Sequence, residues 1–213
     1  KLPPEKNGGF QNGSYWIGEG KPLYTFYMRK YAGVNEQGES TWYKDAADGS
    51  MTTTTDYATA SYYECGEADA DIFGGFGTSL SFYGVDLSVN FTYQVGGLVY
   101  DSGYAMFMGS PMSGDTGTNV HVDILKAWTP QNTASNIPRY QMGDQYSASQ
   151  SDRFLTDASY LNLQNINLGY TLPSKFTKKF LVEKMRIYLS CENVFYWSKR
   201  QGLDPRQSFS GST

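Results

Sequence analysis

The feature that most constrains this chain is a strict alternation of apolar and polar residues from Val85 to Val95. Every second residue is apolar or aromatic, and the residues between them are polar; the sequence reads VDLSVNFTYQV. Successive side chains of a strand point to opposite faces. The stretch therefore predicts a strand of about ten residues with one apolar and one wet face, the length and period of a strand in an outer-membrane barrel.

The residues just before this strand continue the pattern. Phe76, Leu80 and Phe82 alternate with small or polar residues, and a tight turn at Tyr83–Asp86 joins the two segments into a predicted hairpin. A soluble β-sandwich also alternates, with one face in its core and the other in water. Alternation alone therefore leaves both the membrane barrel and the sandwich open.

The lengths of the connections favour the barrel. The next strong strand pattern begins near Ser159, about sixty residues after Val95, and a short link then leads to Met185–Phe195. Outer-membrane barrels have short periplasmic turns and long outer loops. On this rule Gly84 and Pro173–Lys184 lie at the periplasmic rim, and Gly96–Ala158 lies outside the cell.

Composition agrees with a strand-rich membrane or secreted protein. The chain has 18 Tyr, 23 Gly and 16% aromatic residues, with a mean hydropathy of −0.50. No window is apolar enough for a transmembrane helix, and Tyr and Trp concentrate at membrane interfaces. A secreted β-sandwich that binds glycans or mediates adhesion is the alternative reading of the same composition.

No residue pattern indicates catalysis, a cofactor or a metal. The net charge of −4 and pI of about 5.0 disfavour nucleic acid. His121 beside Asp123 lacks a recognisable nucleophile, and the acidic residues near Asp45 and Glu64 lack the spacing of a calcium loop or a defined glycosidase pair. Cys65 and Cys191 favour free thiols over a disulfide. We therefore expect no enzyme, and a glycoside hydrolase is the least favoured class.

The remaining elements are predicted from shorter patterns. They are a strand over Leu23–Val34, a turn at Asn35–Gly38, a returning strand over Thr41–Lys44, a polar region over 45–75 with a turn at Asp48–Gly49, a helix over Val120–Trp128 and a helical turn over Ser174–Phe180. With six to eight strands the chain is too short to enclose a wide lumen, so we expect further strands in the same polypeptide.

Two ordered segments carry a resemblance to a known family. They read SDRFLTDASYLNLQNINLGYTLP from Ser151 and MRIYLSCENVFYWSKRQGLDP from Met185. Both resemble the C-terminal part of SusC/RagA-type TonB-dependent outer-membrane transporters, and GKPLYTFYMRKYAGV from Gly20 and AWTPQNTASNIPR from Ala127 agree with it. The resemblance extends from Gly20 to Pro205; Cys191 departs from it, standing where the family often has Gly.

The resemblance implies an all-β fold: a transmembrane antiparallel barrel of roughly 22 strands, filled by a plug, with long outer loops. Residues 1–213 would be a C-terminal portion of that barrel, without the plug, the TonB-contacting segment and the last strand. It further implies import of oligosaccharides or peptides through the outer membrane. A SusD-like lipoprotein, TonB, the cargo and outer-membrane lipid would be the partners.

Cargo recognition calls for aromatic surfaces beside hydrogen-bonding groups, and the predicted outer segments contain both. The predicted ligand contacts are Trp42, Tyr43, Tyr100, Asp101, Tyr104, Phe107 and Trp128, with Tyr62 and Tyr63 as further aromatic candidates. Girdle residues and contacts to the lipoprotein are the alternative roles for each of them.

Overall fold

The structure is a computed structural model that describes residues 8–112, 117, 119–200 and 202–207. The end of the chain at Thr213, where the sequence predicts that a closing strand is missing, lies outside the described residues. Thirteen strands and two short α-helices occur within them. The strands are β1 Phe10–Asn12, β2 Tyr15–Ile17, β3 Thr25–Arg29, β4 Tyr31–Val34, β5 Ser40–Asp45, β6 Met51–Thr54, β7 Tyr62–Glu67, β8 Ile72–Phe82, β9 Val85–Val95, β10 Leu98–Tyr100, β11 Leu155–Asp157, β12 Tyr160–Thr171 and β13 Arg186–Ser198.

The helices are short. The α-helices are α1 Ser102–Phe107 and α2 Ser174–Thr177, and 3-10 helices cover Tyr57–Thr59, Val122–Lys126, Asp152–Phe154, Lys178–Phe180 and Pro205–Gln207. Among the described residues, none of these helices has the length and apolar character needed to cross a membrane. The chain is thus mostly strand, as the sequence predicts.

The chain divides into two compact units. Unit one comprises Lys1–Asp69 and Leu98–Thr156, and unit two comprises Ala70–Gly97 and Asp157–Thr213. Unit one contains a four-stranded sheet in the order β1-β2-β3-β7, a three-stranded sheet in the order β4-β5-β6, and the pair β10-β11. Its core holds two buried clusters, one around Phe26 and Met28 and one around Met108 and Phe154.

Unit two is a single antiparallel sheet in the order β13-β12-β9-β8. Tyr83 and Gly84, with φ of 45° and 82°, form the two-residue turn between β8 and β9. Positive φ at both central positions matches the twist of the flanking strands. The predicted turn Tyr83–Asp86 is therefore too long, since Val85 and Asp86 already pair in β9.

The strand predicted over Leu23–Val34 is wrong as a single element, because the chain changes partners at Lys30. Arg29 pairs with Tyr62 of β7, whereas Tyr31 pairs with Trp42 of β5. The break thus follows from long-range pairing, which the local alternation does not contain. The turn before Ser40 and the returning strand are present as predicted.

The polar region 45–75 and the loop Gly96–Ala158 hold more structure than the sequence predicts. Strands β6, β7, β10 and β11 and helix α1 lie in them. The turn at Asp48–Gly49 is confirmed, with φ of 82° at Gly49. The helix predicted over Val120–Trp128 is a shorter 3-10 helix, Val122–Lys126, with the His121 side chain as its cap. The helical turn over Ser174–Phe180 is confirmed by α2 and the 3-10 helix after it.

Candidate functional site

One face of the sheet in unit two is apolar across all four strands. Directly paired residues of antiparallel neighbours share a face, and here they form five cross-strand rows. The rows are Phe82, Val85, Tyr170, Ile187; Leu80, Leu87, Leu168, Leu189; Thr78, Val89, Ile166, Cys191; Phe76, Phe91, Leu163, Phe195; and Gly74, Tyr93, Leu161, Trp197. We call these residues the apolar face.

The apolar face is uncovered. Leu80 is 59% exposed, Leu189 64% and Phe82 73%. In a soluble sandwich these side chains would pack against a second sheet about 10 Å away. Exposed apolar surface of this extent marks an interaction surface or a membrane contact.

A bulge in β12 keeps the apolar residues on one side. The register shifts between Leu163 and Asn165, so that Gln164 is an extra residue with respect to β9. Side chains of a β-strand alternate between faces, and the apolar residues change from odd to even positions between Leu163 and Ile166. The extra residue compensates for this change and keeps both sets on the same face. Asn193, at φ 50°, lies opposite the same point on β13.

The opposite face is polar and internally hydrogen-bonded. Asn90 Nδ2 donates to Asn165 Oδ1 at 2.9 Å, and Asn167 Nδ2 donates to the same oxygen at 3.4 Å. Arg186 at the start of β13 forms an ion pair with Asp86. Gly77 makes room for this ladder, because a Cβ there would collide with the Asn90 side chain. A wet, hydrogen-bonding surface thus lies on the reverse of the apolar face.

Unit one contains a cavity of about 260 Å³. Two aromatic residues and a set of polar groups line it: Trp42 and Tyr146, with Glu39, Ser40, Thr55, Pro138, Gly143, Asp144, Gln145 and Ser147. An aromatic surface beside convergent polar groups is the usual make-up of a small-molecule site. Of the predicted ligand contacts, only Trp42 lines this cavity.

Arg139 holds the cavity wall in place. Its Nε and Nη2 donate to the two oxygens of Asp144 at 2.9 and 3.1 Å, and its Nη1 donates to the carbonyl of Gln37 at 2.9 Å. Nη2 also lies 3.4 Å from Glu39 Oε1. The hydrogen bond and charge of Asp144 raise the pKa of Arg139. The guanidinium thus joins the loop around Asp144 to the turn before β5.

Trp42 is fully buried at 1% exposure, and aromatic rings surround it. The rings of Tyr31, Tyr57 and Tyr146 contact it edge-on at centroid distances of 6.4, 5.2 and 6.0 Å. Among the described residues its indole Nε1 has no hydrogen-bond partner. A buried donor without an acceptor lowers the stability of the fold.

A second aromatic group packs beside this one. The guanidinium of Arg29 lies over Tyr57 at 4.1 Å and over Tyr62 at 4.5 Å, and its Nη1 donates to the Tyr62 hydroxyl at 2.8 Å. Burial is the main cause of the raised pKa of Tyr57. Tyr63 lies further along β7, with its hydroxyl donating to Asp45 at 2.5 Å. Tyr62 is thus a packing partner in the structure.

The predicted residues around α1 come together, but at the buried Phe154. The rings of Tyr100 and Tyr104 lie 6.2 and 6.1 Å from the Phe154 ring. Asp101 is 6% exposed and caps α1 by accepting from Tyr104 N at 2.8 Å. Burial raises the pKa of Tyr100 to about 12. Phe107, at the end of α1, is 42% exposed.

Tyr43 and Trp128 lie apart from that group. Lys30 Nζ lies 6.0 Å from the Tyr43 ring centroid. Trp128 packs over Gly38, where a Cβ would meet the indole at 2.4 Å. Sequence reasoning did not find Glu39, Asp144, Tyr146 and Arg139, because their meeting depends on long-range folding; the signal available was the aromatic Tyr146 between turn-forming residues.

The polar clusters of unit one have structural partners. His121 Nδ1 accepts from Asp123 N at 3.1 Å, and Lys126 Nζ donates to Asp123 at 2.7 Å, which lowers the pKa of Asp123. Across the described residues, no group of three or more His, Cys, Asp or Glu side chains is placed to bind a metal. Both cysteines are free thiols.

Two curated receptors resemble the chain. TonB-dependent receptor P3 of Formosa agariphila is 27% identical over 202 residues, covering 90% of this chain and 19% of that protein. TonB-dependent receptor P26 of the same organism is 26% identical over 141 residues, covering 66% and 14%. No protein-family model matches the chain.

Solved structures give the same result. The RagAB peptide importer in its "closed-closed" state matches with a TM-score of 0.72 and 27% identity over 93% of this chain and 22% of that chain. Its "open-open" state matches with a TM-score of 0.71 and 28% identity over 96% and 22%. The chain is a portion of a SusC/RagA-type TonB-dependent receptor.

This receptor portion spans about a fifth of the length of the relatives it matches. Its likeness to them extends over both units, since 93% of the chain is aligned in one RagAB structure. Those relatives are receptors and importers rather than enzymes.

Proposed function

We propose that this receptor portion is part of a TonB-dependent importer of oligosaccharides or peptides in the outer membrane. The apolar face carries the proposal, since it is uncovered and continuous over four strands. Its ten residue steps from Val85 to Val95 correspond to about 33 Å along the strand, or about 25 Å of membrane normal at a tilt near 40°. An outer-membrane barrel has an apolar band of about that height.

The barrel and its partners belong to the same proposal. Residues 1–213 would be a C-terminal portion of a barrel of roughly 22 strands, with a plug and a TonB-contacting segment elsewhere in the protein. A SusD-like lipoprotein would cover the outer opening. The related RagAB is described as a peptide importer, which supports peptide as one of the two cargo classes. No covalent chemistry is needed for this role.

We further propose that cargo contacts lie among the aromatic residues of unit one. The cavity beside Trp42 and Tyr146 offers an aromatic wall and two carboxylates, those of Glu39 and Asp144. Sugar hydroxyls and peptide amides can both donate hydrogen bonds to carboxylates. Tyr43, Tyr100, Asp101, Tyr104, Phe107 and Trp128 stay predictions for the same role.

An arginine scan across the sheet tests the membrane assignment. Val89→Arg puts a charge at the middle of the apolar face, and it should cost about 2–4 kcal/mol in a bilayer. We expect the full-length variant receptor to lose its folded form in the outer-membrane fraction, seen as the detergent-resistant band whose mobility changes on boiling. Ser88→Arg is the matched control, because Ser88 pairs with Ser79 and Asn167 on the polar face.

The control separates the two fold classes. If Val89→Arg assembles in the outer membrane as well as Ser88→Arg does, the apolar face does not contact lipid. If wild-type receptor accumulates as a soluble protein, the secreted β-sandwich replaces the importer.

A further inference from the structure

The connection between β12 and β13 has an unusual combination of charge and exposure. Residues 173–184, which we call the basic link, contain four exposed lysines against one glutamate. The lysines are Lys175, Lys178, Lys179 and Lys184. Among the described residues, no carboxylate forms an ion pair with any of them. The link therefore presents unneutralised positive charge.

The basic link also exposes large apolar side chains. Phe176 is 59% exposed, Phe180 79% and Leu181 97%. Leu181 has a φ of 58°, a conformation that ordinarily favours glycine. Its N–H donates to Lys178 O at 3.2 Å, and Val182 N donates to Thr177 O at 3.2 Å. The backbone thus holds a bulky apolar residue outward at a position where a small residue would cost less in water.

The link lies at the same end of the sheet as the β8–β9 turn. Leu172 N donates to Met185 O at 2.9 Å, which closes the link, and Thr171 N donates to Gly84 O at 2.7 Å. The neighbouring turn presents Phe82 and Tyr83 at 73% and 87% exposure. The exposed residues of this end therefore continue the apolar face at its edge.

We propose that the basic link is a phospholipid-binding anchor at the rim of the barrel. Phe180 and Leu181 enter the boundary between headgroups and acyl chains, and the lysines bind the phosphates of anionic phospholipids on that side. Exposed apolar residues interspersed with Lys are typical of segments lying in a membrane interface. Each Lys near an anionic surface strengthens the attraction about fivefold. The inference rests on the proposed function, since it requires the sheet to be in a membrane.

Site-directed spin labelling of the full-length receptor in lipid nanodiscs tests the anchor. The label is placed at Leu181→Cys in a receptor in which Cys65, Cys191 and any other cysteine are replaced by Ser. Its accessibility to oxygen is compared with its accessibility to a water-soluble nickel chelate. Leu189→Cys on the apolar face serves as the lipid reference, and Glu36→Cys in the exposed turn serves as the water reference.

We expect the label at 181 to favour oxygen, as the label at 189 does. In discs containing phosphatidylglycerol it should lie deeper than in pure phosphatidylcholine. The Lys178→Gln, Lys179→Gln double variant should remove that difference and shift the label toward the value at Glu36.

Each other outcome overturns the proposal. A water-like label at 181 with a lipid-like label at 189 excludes the anchor and leaves the importer intact. A water-like label at 189 excludes the membrane sheet, and with it both proposals. A deep label at 181 that ignores lipid charge and the lysine substitutions excludes headgroup binding.

Discussion

Arg139 is the residue on which the cavity in unit one depends most. Its guanidinium joins Asp144, Glu39 and the carbonyl of Gln37. Arg139→Ala should release the loop around Asp144 and lower the free energy of unfolding by about 1–3 kcal/mol, because charge-assisted hydrogen bonds are lost. In limited proteolysis, this loop should be cut faster in the full-length Arg139→Ala receptor than in the wild-type receptor.

Two controls make the Arg139 result specific. Arg139→Lys keeps the charge but loses the paired hydrogen bonds to Asp144, so cleavage should lie between wild type and Arg139→Ala. Lys126→Gln removes a surface ion pair and should leave cleavage unchanged. Equal cleavage of all variants would show that the loop does not depend on Arg139.

Cys65 gives a pH-dependent prediction. Burial raises the pKa of its thiol to about 11. The neutral thiol is therefore the form favoured by the fold, and the associated stability is present below the unfolded pKa and lost as pH rises through about 11. At pH 8 about one molecule in a thousand carries the reactive thiolate. We expect alkylation by iodoacetamide to rise about tenfold per pH unit from 7 to 9.

Mass spectrometry of the peptide that contains Cys65 measures this rate in the intact receptor. In urea-unfolded receptor the alkylation rate of the same peptide should level off toward pH 9, since an unperturbed thiol has a pKa of about 8.5. If the alkylation rate of the folded protein also levels off toward pH 9, the Cys65 thiol is exposed to solvent and the prediction is wrong.

At the scale of elements, the bulge in β12 decides the faces of the sheet. Deletion of Gln164 would move Leu161 and Leu163 to the polar face, because a shift of one residue reverses every side chain beyond it. We expect the full-length receptor with this deletion to fail to assemble, seen as loss of the detergent-resistant band whose mobility changes on boiling. Gln164→Ala keeps the residue count and should assemble normally. An assembled deletion variant would refute the role of the bulge.

The sequence predicts the long elements of unit two well. Strands β9, β12 and β13 follow from period-two patterns, because each strand has one apolar and one polar face. The strands of unit one are harder to predict from the sequence, since β6 and β7 are polar and β3 separates from β4 where the chain changes pairing partners. The bulge at Gln164 was also missed, as no local pattern distinguishes it from a break in alternation.

At the scale of the molecule, the cavity was the least predictable feature. Trp42 was expected in a binding site because it is aromatic, but Arg139 and Glu39 are 100 residues apart in the chain. Their contact depends on the packing of a loop against a distant turn. Asp101 lies beside an aromatic cluster and caps α1 in the structure. Its role as a ligand contact stays a prediction.

The size of the whole protein is the last prediction. The chain of 23.8 kDa aligns with 22% of a RagAB chain, so an importer with a plug and a barrel of roughly 22 strands should be on the order of 110 kDa. An antibody to the peptide Ser151–Pro173 should detect such a band in the outer-membrane fraction, with a mobility that changes on boiling. A closed barrel resists detergent until it is heated, because every backbone group of its strands is paired. A soluble band of about 24 kDa that ignores heat would instead require a second sheet over the apolar face, which is uncovered here.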